Sequence, residues 1–116
     1  MKRNGILASG SWIVDQVKMV DVYPQRETLA NILSQGEGTG GSPYNILINL
    51  VKMGAKIPMS AAGLVGSDGL GDYILTDLKR HKIDTSQMRS TTKAPTSYTD
   101  VMTEVKTGRR TFFHCQ

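Results

Sequence analysis

The 116-residue chain is long enough for one small domain and too short for two. Its 39% hydrophobic and 21% charged residues are ordinary for a globular protein, and no apolar run approaches the about 18 residues that a membrane span needs. The net charge of +4 is scattered over Lys2/Arg3, Lys52/Lys56, Lys79/Arg80/Lys82 and Lys106/Arg109/Arg110, with no aromatic interleaving, which argues against nucleic acid as a partner.

The start, Met1-Lys2-Arg3, has the charge of a secretory signal, but Ser9, Gly10 and Ser11 break the apolar stretch behind it. The one cysteine, Cys115, excludes an intrachain disulfide framework and fits a reducing compartment, so a cytoplasmic protein is expected.

In chain order, Gly5–Gly10 is a short apolar run that stops at glycine, as a buried strand of an α/β sheet does. Ser11–Val22 mixes apolar residues with Asp15, Gln16, Lys18 and Asp21 and predicts an extended, part-exposed ribbon, with Thr28–Leu33 as a returning strand. Gly36–Gly41 holds four glycines in six residues and predicts a loop. A helix follows, with Ser42 as N-cap, Pro43 at the first helical position and Gly54 past its end. It is apolar nearly all round, as a helix inside a larger fold would be.

Ile57–Gly63 predicts a second buried strand. Gly66-Ser67-Asp68-Gly69 is a turn in which Asp68 caps a helix from Gly69 to His81, with Leu70, Tyr73, Ile74 and Leu78 on one face. Ser86–Pro95 is polar and is expected to be a loop. Tyr98–Val105 alternates, Lys106–Arg109 turns, and Arg110–Cys115 returns, which makes a β-hairpin.

The glycine run does not make a phosphate-binding P-loop, because Gly41 is followed by Ser42-Pro43 with no lysine. Its spacing does not fit a dinucleotide fingerprint either. What remains is Gly40-Gly41 at a helix N-terminus with Asn45 on the first turn, an arrangement that serves tight packing or close approach of a ligand. Asp15 can accept hydroxyls or simply be solvated. Asp72 is expected to be a solvated first-turn carboxylate. His81, His114 and Cys115 have no metal-ligand spacing, and Cys115 has no activating partner in the pattern.

Taken in order, these segments resemble the N-terminal region of ribokinase-like (PfkB-type) carbohydrate kinases. The elements are Gly10-Ser11-Trp12-Ile13-Val14-Asp15; Gly40-Gly41-Ser42-Pro43-Tyr44-Asn45; Leu50–Gly54; Gly63-Leu64-Val65-Gly66-Ser67-Asp68-Gly69-Leu70-Gly71; Lys82-Ile83-Asp84; and Pro95-Thr96 with Gly108-Arg109. The resemblance implies an α/β fold, a partial Rossmann-like core (segments about 4–12 and 40–90) with a small β-sheet lid (about 13–35 and 96–116). It implies that Asp15, Gly40, Gly41 and Asn45 bind sugar hydroxyls, and that lid strands pair in a homodimer.

The resemblance also implies ATP-dependent phosphorylation of a sugar or related hydroxyl substrate, with Mg2+, by a longer parent. The catalytic aspartate of the family lies in a Gly-Ala-Gly-Asp motif that does not occur in these 116 residues; Gly69–Asp72 belongs to a different element. A truncated chain, inactive alone and carrying no cofactor, is therefore expected. A non-catalytic sugar-binding or dimerisation module is the alternative. Where ribokinases carry an asparagine two residues before the aspartate this chain has Ile13, and their Gly-Gly-Lys-Gly-Ala-Asn is Gly-Gly-Ser-Pro-Tyr-Asn here. These departures argue against ribose, and another sugar, a sugar acid or a nucleoside is expected as substrate.

Overall fold

The computed structural model describes residues 3–116; Met1 and Lys2, part of the charged start, lie outside the described residues. Along the chain come β1 (Ile6–Ser9), β2 (Ile13–Val20), β3 (Ile32–Gly40), α1 (Ser42–Lys52), β4 (Met59–Gly66), α2 (Gly69–Arg80), β5 (Asp84–Thr91), β6 (Tyr98–Glu104) and β7 (Arg110–Cys115). No described helix is long and apolar enough to cross a membrane.

The strands form two sheets. The first is parallel, in the order β1-β4-β5. Ala8, Met59, Ala61, Val65 and Met88 are buried in one core with Tyr44, Leu47 and Ile48 of α1 and Ile74 and Leu78 of α2. The helical residues recur at three- and four-residue spacing, so each helix lays one stripe on the sheet. Leu7 and Leu64 are 62% and 58% exposed. Parallel sheets are ordinarily covered on both faces, and this one leaves large apolar side chains in water.

Two polar knots tie the elements together, the first joining α2 to β4 and the segment leading into β6, the second joining α1 to α2. Asp68 caps α2 by accepting from the Gly71 N–H at 2.8 Å, and also accepts from the Thr96 N–H at 2.8 Å and the Thr96 hydroxyl at 2.6 Å. The Thr96 oxygen in turn accepts from the Gly66 N–H at 2.9 Å. In the second knot, the Tyr44 hydroxyl donates to Asp77 at 2.7 Å, and Arg80 pairs with the same carboxylate. Trp12 lies 5.5 Å from Tyr44 between ring centroids and donates from Nε1 to the Ala62 carbonyl at 2.9 Å.

The second sheet runs β3-β2-β6-β7, with β2 and β6 parallel and the outer pairs antiparallel. Residues paired in register share a face. One row across all four strands is therefore Gly38, Asp15, Thr99 and His114.

Several expectations need correcting. The returning strand is not Thr28–Leu33 but Ile32–Gly40, so the glycine run expected as a loop is itself a strand. Its glycines alternate, and an edge strand bonded on one side to β2 tolerates them. The polar stretch expected as a loop from Ser86 is mostly β5, an edge strand in which only Met88 is buried, so hydrophobic alternation is absent. The N-cap of α1 is Gly41, not Ser42: its φ of 93° turns the chain into the helix, and no side chain caps it. The all-round apolar character of α1 is also only half used, since Ile46 is exposed while Tyr44 and Leu47 are fully buried.

Candidate functional site

Asp15 is the third residue of β2, on the face that also carries Ile13, Val17 and Met19. Its neighbours on β3 are the alternating glycines: Gly36 pairs with Val17, Gly38 with Asp15 and Gly40 with Ile13. All three lie on the Asp15 face, and a Cβ added to Gly36 or Gly38 would meet no atom within 4 Å. β3 thus presents a bare shelf of backbone beside the carboxylate. At its end the shelf narrows, because a Cβ on Gly40 would stand 3.0 Å from both Asp15 oxygens.

Gly41 follows directly and opens α1. Any side chain there would collide with the Ser11 carbonyl as well as strain a left-handed backbone. Asn45 is one turn into α1, exposed, with its N–H donating to the Gly41 carbonyl at 3.0 Å. The structure places Asp15 and Gly40 in contact, joins Gly41 to them through the chain, and sets Asn45 one helical turn further on.

The sequence offered no signal for the other half of this face. Thr99, 8% exposed, sits beside Asp15 on β6, and its hydroxyl is 2.8 Å from Nδ1 of His114 on β7. Further along β7, the Arg110 guanidinium lies 5.5 Å from the centre of the Phe112 ring. Partial burial raises the Asp15 pKa above its ordinary value, with the charges of Arg110 and then His114 pulling it back in part. Asp15 is therefore a partly desolvated carboxylate with Arg110 and His114 on the same face, suited to accepting hydrogen bonds from hydroxyls.

Asp72 is exposed in the first turn of α2, as expected of a solvated carboxylate. Among the described residues no group of three or more His, Cys, Asp or Glu side chains is placed to hold a metal ion. The glycine run, spent on strand pairing, does not make a nucleotide-phosphate cradle. A groove of about 430 Å³ is lined by Gln16, Lys18, Gln35, Gly36 and Glu37. It opens on the other face of the second sheet, where Lys18 and Asp100 form an ion pair at 2.8 Å. It is a wide surface trough without the glycine-walled carboxylate.

Residues 4–115 match the description of the pfkB family carbohydrate kinases. The chain belongs to the pfkB family. A ribokinase of Staphylococcus aureus (strain COL) is 36% identical over 94 residues, covering 80% of this chain and 30% of the ribokinase. A ketohexokinase of Mus musculus is 26% identical over 111 residues, covering 96% of this chain and 37% of the ketohexokinase. Among solved structures, a nucleoside kinase of Methanocaldococcus jannaschii, an archaeal member of the ribokinase family, superposes with a TM-score of 0.83 at 20% identity, over 98% of this chain and 37% of that one. The pfkB-family chain thus shares the ribokinase fold and spans about a third of the length of the relatives it matches.

Proposed function

We propose that this chain forms the sugar-binding side of an ATP-dependent carbohydrate kinase, with the second sheet as a lid over the acceptor. The observation that carries the reading is the Asp15 carboxylate lying beside a bare glycine strand, so close to Gly40 that an added Cβ there would stand 3.0 Å from both of its oxygens. Asp15 accepts from substrate hydroxyls, the glycine shelf lets the sugar ring approach the backbone, and Gly41 and Asn45 complete the hold from the start of α1. Orienting the acceptor hydroxyl this way lowers the entropic part of the barrier, and a closing lid keeps water from competing for the phosphoryl group.

ATP with Mg2+ supplies the phosphoryl group when bound. The residues present do not fit that group, so its binding and the deprotonation of the acceptor are assigned to protein beyond these 116 residues. The bare apolar face of the first sheet, with Leu7 and Leu64 exposed, supports that assignment. So does the share of the relatives' length that the chain spans. By this reading the chain alone binds sugar and does not phosphorylate it.

The lid is proposed to pair with a second copy. On the face opposite Asp15, Val20, Tyr23, Pro24, Ile32, Met102 and Phe113 line an apolar groove of about 250 Å³. Such a patch on an open sheet is suited to self-association. A half-exposed free Cys115 fits a reducing, cytoplasmic setting.

Calorimetry of the chain with D-ribose and with D-fructose tests the reading. Binding of one of them, abolished in Asp15→Ala, is expected, and incubation with ATP, Mg2+ and that sugar should yield no sugar phosphate. No binding of either sugar, or binding indifferent to Asp15→Ala, would contradict it.

A further inference from the structure

We propose that Thr99 and His114 form a specificity pair of the same site, in which His114 donates a hydrogen bond from Nε2 to an oxygen of the substrate held by Asp15. This rests on the sugar-binding reading of Asp15.

The first support is the row itself. Gly38, Asp15, Thr99 and His114 pair in register across β3, β2, β6 and β7 and so share one face. The next row on that face is Gly36, Val17, Val101 and Phe112, which has no polar side chain. A sheet face that needed only to pack would carry that apolar composition throughout. In the Asp15 row polar side chains stand on three consecutive strands, Asp15, Thr99 and His114; the row beyond Val17 is polar again, with Ser34, Thr103 and Arg110 around Met19.

The second support is the proton. Thr99 is almost fully buried, and its hydroxyl has no hydrogen-bond partner among the described residues other than Nδ1 of His114. Were Nδ1 to carry the proton of a neutral ring, it would donate to the threonine oxygen, and the threonine hydrogen would be left without an acceptor at a buried position. The satisfied arrangement has Thr99 donating to Nδ1, which puts the ring proton on Nε2. No described side chain bonds Nε2, and His114 is exposed.

The site then offers an acceptor at Asp15 and a donor at His114, two strands apart. Adjacent strands are about 4.8 Å apart, so the backbones of the two residues are separated by about 10 Å. Side chains converging from that separation match the span of a five- or six-carbon polyhydroxylated ring, with hydroxyls donating to Asp15 and a hydroxyl, carbonyl or ring oxygen accepting from His114. The other titratable group on this face of the sheet is Arg110, stacked on Phe112. β3 contributes only small side chains there.

The test is a nuclear magnetic resonance titration of the 15N-labelled chain with D-ribose and with D-fructose, together with His114→Leu, His114→Gln and Thr99→Val. The unaltered chain should show the His114 ring proton on Nε2, and sugar should shift the ring signals. His114→Leu should weaken binding by about 3- to 10-fold, the range for one neutral hydrogen bond, and His114→Gln, whose amide can donate, should recover part of it. Thr99→Val should perturb the tautomer and weaken binding, with no further loss when combined with His114→Leu.

Unchanged binding in His114→Leu, with binding lost in Asp15→Ala, would overturn the pair and leave the sugar-binding reading standing. Binding indifferent to Asp15→Ala, or no binding of either sugar, would overturn both. If His114→Leu fails to fold, the unaltered chain decides: a ring proton on Nδ1 contradicts the proposal, and one on Nε2 whose signals move with sugar upholds it.

Discussion

A methyl group on Gly40 would stand 3.0 Å from both carboxylate oxygens of Asp15, where by the proposed reading a substrate hydroxyl would approach. The backbone of Gly40 is outside the left-handed region, so alanine is conformationally acceptable there. Gly40→Ala is therefore expected to keep the fold, with stability within about 1 kcal/mol of the parent, while weakening sugar binding at least about tenfold. Gly41→Ala should behave differently. Its φ of 93° and the collision with the Ser11 carbonyl predict a loss of about 2 kcal/mol or more in folding. Thermal melts and calorimetry on the two variants separate the effects.

The pH dependence at Asp15 follows from its raised pKa. Burial disfavours its charged form, so its favourable contribution to stability is full below the ordinary value of 3.8 and is lost as pH rises through the raised value. At neutral pH the ionised carboxylate is a cost to the fold. Asp15→Asn is expected to raise the melting temperature slightly at pH 7, with the gain disappearing below about pH 4, and to abolish sugar binding. Binding by the parent chain should fall away on acidification at a higher pH than an ordinary aspartate would give. Melting curves and titrations between pH 3 and 8 check both signs.

Asp68 carries the opposite sign. The Thr96 hydroxyl, then the Thr96 and Gly71 N–H groups, lower its pKa despite some desolvation. Its contribution to stability is present above the ordinary 3.8 and is lost as pH falls through the lowered value. Thr96→Val keeps the shape and removes both the donor to Asp68 and the acceptor for the Gly66 N–H. It should cost about 2–3 kcal/mol in urea unfolding at pH 7, and less as pH falls through the lowered pKa of Asp68.

Self-association should depend on the face opposite Asp15. Phe113→Lys places a charge in the groove lined by Ile32, Tyr23 and Met102 and is expected to shift the chain towards monomer in sedimentation equilibrium. Because Phe113 lies on the face away from Asp15, sugar affinity should change less than twofold.

The strand–helix order of the first sheet was legible in the sequence because its core residues keep strict spacings and its caps use diagnostic residues: Asp68 for α2, Pro43 and Gly54 for α1. The second sheet was only partly legible. Gly36, Gly38 and Gly40 look like a loop by composition, yet their spacing of two is that of a strand face, and no side chains were present to show the alternation. β5 hid for a related reason, since an edge strand with Met88 as its only buried side chain need not look hydrophobic. Asp15 and Gly40 were found by resemblance, whereas Thr99 and His114 were not. Thr99 and His114 face each other within the β6–β7 hairpin, but their place beside Asp15 depends on β6 lying next to β2 in parallel register, a long-range pairing that no local pattern encodes. The Asp68–Thr96 knot likewise joins two recognised segments, one around Val65–Gly71 and one at Pro95-Thr96, whose contact only the fold reveals.

The central claim is that sugar binds on the Asp15 face of the second sheet against Gly40. Backbone amide shifts in the labelled chain, followed as D-ribose or D-fructose is added, test it most directly. The account predicts that the largest shifts fall on Asp15, Gly38, Gly40, Gly41 and Asn45. Shifts confined to Gln16, Lys18, Gln35 and Glu37, around the groove on the opposite face, would contradict it.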